Sequence, residues 1–164
     1  MTTKPIVTPP GEGDVLQFSP TELLIWKATL DSTQAFDQLT LTAQPGHVGA
    51  PEHVHSRVEE CFYVLDGAFR FKVADSFVIA EPGTFLFVPR GVAHTWTNAL
   101  DVASTMLLTF VPGGMKAFFT EAAPLMHAEP LDLQALTEVN ARHATTVVGP
   151  PIAAGTARSG NDGN

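Results

Sequence analysis

Cysteine is almost missing from this chain: Cys61 stands alone, so no intrachain disulfide framework can brace the fold. Stability has to come from a buried apolar core. Basic residues are scarce too, nine Lys and Arg against 17 Asp and Glu, for a formal charge of -8 with no basic cluster. A field of that sign repels phosphate backbones and anionic lipid, which argues against nucleic-acid and membrane partners and for a small-molecule one. Long apolar runs are also lacking, since no stretch approaches the roughly 20 residues of a membrane-spanning helix. The opening M-T-T-K-P-I-V-T-P-P has no apolar stretch of the kind that secretory signals carry. The expectation is a cytoplasmic protein.

What the chain does have is turns and short apolar segments. Its 164 residues, 45% hydrophobic and 16% charged, suit one globular domain, and 13 Pro with 13 Gly predict frequent chain reversals. Residues 1–14 are rich in Thr, Pro and Gly and are expected to form a mobile arm. Residues 15–18 and 23–30 read as strands, with a short helix over 21–30 as the alternative because Ser19-Pro20 could cap and start one. Over 36–43, Leu39 and Leu41 alternate with Gln38, Thr40 and Thr42 in the period of a half-buried strand.

Further strands are predicted over 53–55, 60–65, 68–73, 77–80, 85–88, 92–97 and 102–111, broken by Asp66-Gly67, Asp75-Ser76, Pro82-Gly83 and Pro89-Arg90-Gly91. Phe62, Phe69, Phe71, Phe85, Phe87 and Trp96 are the expected core aromatics. The fold class is therefore all-β, an antiparallel sandwich or barrel over 15–112. Helical spacing over 115–122 and 131–143, with Asp132 near the second start, predicts one or two short C-terminal helices packed on the barrel over 113–143. Residues 144–164 decline into Gly, Ala, Ser and Asn and are expected to be a disordered tail, at least from Gly155 onward.

The chemistry concentrates in E-H-V-H-S-R-V-E-E-C-F-Y-V-L-D-G, residues 52–67. His53 and His55 are two residues apart, so on a strand both imidazoles leave the same face. Glu60 follows, and His94 lies in a second stretch, G-T-F-L-F-V-P-R-G-V-A-H-T-W-T-N, residues 83–98. Three imidazoles with one carboxylate form a plausible transition-metal ligand set: His53, His55, Glu60 and His94.

These two stretches resemble the two motifs of the cupin family, G-x5-H-x-H-x3-4-E-x6-G and G-x5-P-x-G-x2-H-x3-N. His53, His55, Glu60 and Gly67 match the first from its first histidine onward, and Gly83, Pro89, Gly91, His94 and Asn98 match the second without a gap. The leading glycine departs from the pattern, standing at Gly46 or Gly49. The resemblance implies a jelly-roll barrel, one divalent transition metal (Fe, Ni, Co, Mn, Cu or Zn) on His53, His55, Glu60 and His94, and a homodimer with the N-terminal strands as pairing edges. The chain is similar in particular to bacterial single-domain quercetinase-like cupins, through both motifs, the Phe-rich strands and P-G-G-M-K-A-F-F over 112–119. That similarity implies a dioxygenase acting with dioxygen on a small aromatic or enolisable substrate, with Glu60 as catalytic base. Two other readings stay open: a metal-dependent polyketide cyclase or isomerase, and a non-catalytic small-molecule-binding cupin.

Other polar residues are less telling. Glu59 competes with Glu60 but leaves the wrong spacing to Gly67. Asn98 and Gln38 are candidates for orienting ligands, or are ordinary strand polar groups. Cys61 should face away from the metal as a small buried apolar residue. His47 is expected to be a solvated loop histidine, with a place at a pocket mouth as the alternative, and His127 and His143 are expected at the surface. Phe118 and Phe119 either seal the core or cover a barrel end.

Overall fold

A computed structural model describes residues 4–153. In chain order its strands are β1 (Asp14–Ser19), β2 (Glu22–Ala28), β3 (Asp37–Ala43), β4 (His53–His55), β5 (Glu59–Asp66), β6 (Phe69–Val73), β7 (Ser76–Ala80), β8 (Phe85–Val88), β9 (His94–Asn98), β10 (Ser104–Val111) and β11 (Thr145–Val147). Three helices join them: α1 (Leu30–Thr33), α2 (Met115–Met126) and α3 (Leu133–Arg142). One antiparallel sheet runs β1-β2-β3-β10-β5-β8 and the other β11-β4-β9-β6-β7, the two faces of a jelly-roll barrel. The strand reading of residues 23–30 holds as far as Ala28, and helix is confined to the single turn over Leu30–Thr33.

Alternation builds the interior. Leu24, Leu39, Leu41, Phe62, Val64, Met106, Leu108 and Phe110 fill the core from the six-stranded sheet, and Phe69, Phe71 and Trp96 from the other. Phe62 and Phe71 meet edge to face with ring centroids 5.0 Å apart, tying the two sheets together. Phe85 and Phe87 are not core residues, being 61% and 53% exposed. They pair across strands with Tyr63 and Cys61, while Leu86 and Val88 stand opposite Phe62 and Glu60 on the inner face. The run F-L-F-V contains no polar residue to mark its parity, so only the pairing with β5 decides which side faces in.

The helices close one end. Buried Asp37 accepts hydrogen bonds from the backbone N–H groups of Gly114 (2.7 Å) and Lys116 (3.1 Å), capping α2 from β3. Gly113 permits this approach, since a Cβ there would stand 2.7 Å from Asp37 Oδ1. α2 continues past Ala122 through Pro124, four residues further than its spacing predicts. Burial of Ala122 and Ala123 against the core offsets the backbone hydrogen bond that proline cannot make. Asp132 caps α3 as expected, its side chain accepting from Ala135 N at 2.9 Å.

The tail expectation fails over its first part. Thr145–Val147 forms β11, pairing antiparallel with β4 along Thr145↔His55, Thr146↔Val54 and Val147↔His53. Beyond the strand, Val148 N and Gly149 N both donate to Glu52 O. The β-branched run T-T-V-V supplies the strand propensity, and the free edge of β4 supplies the partner. The expectation for Gly155 onward lies outside the described residues.

Candidate metal centre

Three of the four sequence-predicted ligands come from neighbouring strands of the five-stranded sheet. His53 and His55 project from the same face of β4, and His94 on β9 is the cross-strand partner of His53. Glu60 comes from β5 in the opposite sheet, so the cluster lies between the two. All four are buried, and one potential ligand atom from each lies within 4.8 Å of all the others. His53 Nε2 and His55 Nε2 are 3.2 Å apart, and Glu60 Oε2 stands 3.0 Å from His94 Nε2 and 3.3 Å from His55 Nε2.

The other ring nitrogens are all engaged behind the cluster. His53 Nδ1 lies 2.8 Å from Pro51 O, His94 Nδ1 3.1 Å from Val92 O, and His55 Nδ1 2.9 Å from Thr145 Oγ1. A carbonyl can only accept, so Nδ1 carries the proton in His53 and His94, and the neutral rings turn Nε2 lone pairs inward. The centre then consists of acceptor atoms facing acceptor atoms in a buried space. Such a group needs either protons or a cation at its middle, and its donor set of three imidazoles and one carboxylate suits a divalent transition metal. The residues fit the ion that their chemistry implies.

The acid–base properties follow from that crowding. Burial, then the neighbouring His94 and His55, push His53 down to about 4 from 6.5. Burial by itself would raise the Glu60 carboxyl, but hydrogen bonds from His55 and His94 outweigh it and hold Glu60 well below the usual carboxylate range. For His94 burial favours the neutral ring, and the Glu60 hydrogen bond and charge overcome it and raise the pKa. At neutral pH His53 is therefore neutral and open to ligation, and Glu60 favours a proton on His94 that a metal would displace.

The cluster opens into a cavity of about 370 Å³ between the sheets and the two long helices. Leu108, Phe110, Phe118 and Phe119 are among its walls, so the two phenylalanines of α2 line the cavity as well as closing the barrel end. This volume lies near the lower end of the roughly 300–1,000 Å³ usual for small-molecule sites. A larger depression of about 600 Å³ lies between residues 4–10 and β2–β3, but it gathers no comparable set of convergent polar groups.

Several residues fall elsewhere than at the cluster. Glu59 pairs with Arg90 at 2.9 Å on the outside. Asn98 orients no ligand: its Nδ2 donates to Ala43 O, Gln44 O and Val102 O, and its Oδ1 accepts from Leu100 N and Ser104 Oγ, which staples the loop after β9. Gln38 donates to Thr109 Oγ1 on the neighbouring strand. Cys61 is half-buried on the outer face, and burial followed by Glu60 and Glu59 raises its thiol pKa, so it stays protonated and inert. His127 and His143 hydrogen-bond Gln17 O and Glu121 away from the centre. His47 corrects the reading of a solvated loop histidine: it is buried and lines the cavity. Two further residues, Thr145 and Glu22, were missed altogether, because neither belongs to a local motif.

The comparisons fit this architecture. Residues 39–111 match the family model described as Cupin domain, which supports the cupin superfamily. Among solved structures, KdgF from Halomonas sp. superposes with a TM-score of 0.60 at 22% identity, covering 67% of this chain and 97% of that one. An RmlC-like cupin from Shewanella frigidimarina gives a TM-score of 0.60 at 17% identity, over 71% and 99% of the two chains. The nucleoside dehydratase Pac13 gives 0.53 at 17%, over 71% and 88%. At these identities the likeness shows the fold alone. No curated protein matches the chain.

Proposed function

From a cupin jelly roll with three histidines and a glutamate converging inside it, we propose that the chain is a metal-dependent enzyme acting on a small, largely apolar substrate that carries a hydroxyl or carbonyl oxygen. The observation that carries this reading is the acceptor-only cluster opening into an apolar cavity. His53, His55, His94 and Glu60 would hold the ion. A divalent transition metal bound there supplies Lewis acidity toward a substrate oxygen and, if redox-active, a route to dioxygen chemistry.

The protein's own part is positioning and proton handling. Pro51 O, Thr145 Oγ1 and Val92 O fix the three rings through Nδ1. Glu60 is held as a carboxylate, the form that accepts a proton. Its contacts with His55 and His94 run through Oε2, and among the described residues no hydrogen bond engages Oε1. Oε1 is thus the atom to take the proton of a bound substrate hydroxyl. Phe110, Phe119 and Leu108 keep bulk water from the site.

The resemblance of the two motifs and of the segment over 112–119 to quercetinase-like cupins makes a dioxygenase the favoured reaction. Oxygen consumption measured over a panel of flavonols and simpler phenols tests it. Uptake coupled to loss of the aromatic chromophore is expected, falling by about 10²–10⁴ in Glu60→Gln. Turnover that persists without oxygen would replace the dioxygenase with a cyclase or isomerase, and ligand binding without turnover would reduce the protein to a binding module.

A further inference from the structure

The cavity has a second polar pole that the metal cluster does not use. Glu22 at the start of β2 and His47 in the loop before β4 both line it, and both are buried, at 5% and 6% exposure. His47 Nδ1 lies 2.7 Å from Thr21 Oγ1. The Glu22 carboxylate oxygen beside Nε2 favours the ring proton on that nitrogen, which leaves Nδ1 to accept from the Thr21 hydroxyl. Nε2 stands 3.3 Å from Glu22 Oε2, yet off the line of a hydrogen bond, and it remains without a hydrogen-bond partner.

Among the described residues no hydrogen bond reaches the Glu22 carboxylate either. A buried imidazole N–H left unbonded beside a carboxylate is costly, unless a third group completes it. One oxygen bearing a hydrogen meets both needs: it accepts from His47 Nε2–H and donates to Glu22.

We propose that Glu22 and His47 are a recognition site for a ligand hydroxyl, so that the cavity selects molecules with an apolar body and an alcohol or phenol group at this pole. The inference rests on the reading of the cavity as a ligand site and adds the substrate's second oxygen, distinct from the one at the metal centre. The Trp96 ring, tilted against His47 with centroids 5.3 Å apart, fixes the imidazole from one side. The aromatic and aliphatic walls named above suit the apolar body.

The test is a calorimetric titration of the full chain, as purified, with phenylalkanols of two-, three- and four-carbon chains and with the matching ω-fluorides, which keep the shape but cannot donate. At least one alcohol is expected to bind about tenfold tighter than its fluoride, as for a hydrogen bond to a charged group. That ratio should fall to about one in Glu22→Met and in His47→Phe, and survive in His94→Ala. Equal affinities at every chain length in the unaltered protein, or no binding of any alcohol, would overturn the proposal without needing a variant. So would a ratio lost in His94→Ala but kept in Glu22→Met, which would place the hydroxyl at the cluster. Because the ratio does not require a bound ion, failure of the metal-enzyme reading would show separately, in metal content.

Discussion

The two poles of the cavity are built on opposite plans. At the cluster, each histidine has its outward nitrogen fixed by a carbonyl or hydroxyl, and the inward atoms are left to a common centre. At Glu22 and His47, one outward nitrogen is fixed by Thr21, but the inward atoms are a donor beside an acceptor. The first arrangement lacks positive charge and so suits a cation. The second already sets a donor beside an acceptor and lacks only a bridging hydroxyl. What separates an ion site from a recognition site here is the balance of donors and acceptors, since burial is alike in both.

Acid should separate the poles most strongly. His53 titrates near 4 in the fold and near 6.5 when unfolded, so between those values the unfolded chain binds more protons and stability falls as the pH drops. The metal-free protein should lose roughly 3 kcal/mol across that window. Glu60, lowered from 4.5, adds a further loss below that value. His94 acts in the other direction: its raised pKa contributes stability that is present below 6.5 and lost as the pH rises through its folded value. Urea denaturation from pH 4 to 8, repeated with His53→Phe, checks this, and an acid limb unchanged in the variant would assign the titration elsewhere.

A smaller effect probes the outward bonds. Thr145→Val removes the partner of His55 Nδ1 while keeping the shape of the side chain, and should weaken metal binding by about 10–100-fold. Glu22→Met should leave metal affinity unchanged. Competition with a chromophoric chelator measures both, and equal losses would mean that the two poles are one site.

How far the sequence exposed these features depended on how local each one is. His53 and His55 were legible because strand alternation forces them to one face, and the spacing to Glu60, Gly67 and His94 repeats a known pattern. The antiparallel sandwich or barrel followed from short strands between strong turn signals, and the jelly roll from the resemblance of the two motifs. Phe85 and Phe87 were misplaced because four apolar residues in a row carry no parity. Thr145 was hidden for a different reason: its bond to His55 spans 90 residues, and its strand is three residues long at the head of a Gly- and Ala-rich tail. Glu22 and His47 meet only because β2 and the loop before β4 border the same cavity, and no periodicity reports such a meeting.

The central claim is that His53, His55, Glu60 and His94 hold a metal ion, and metal content by mass spectrometry tests it most directly. The chain purified without added metal should carry close to one equivalent of a divalent transition metal, and His53→Ala and His94→Ala should each lose it. A chain that takes up no metal even after reconstitution, or variants that retain as much as the unaltered protein, would contradict the account.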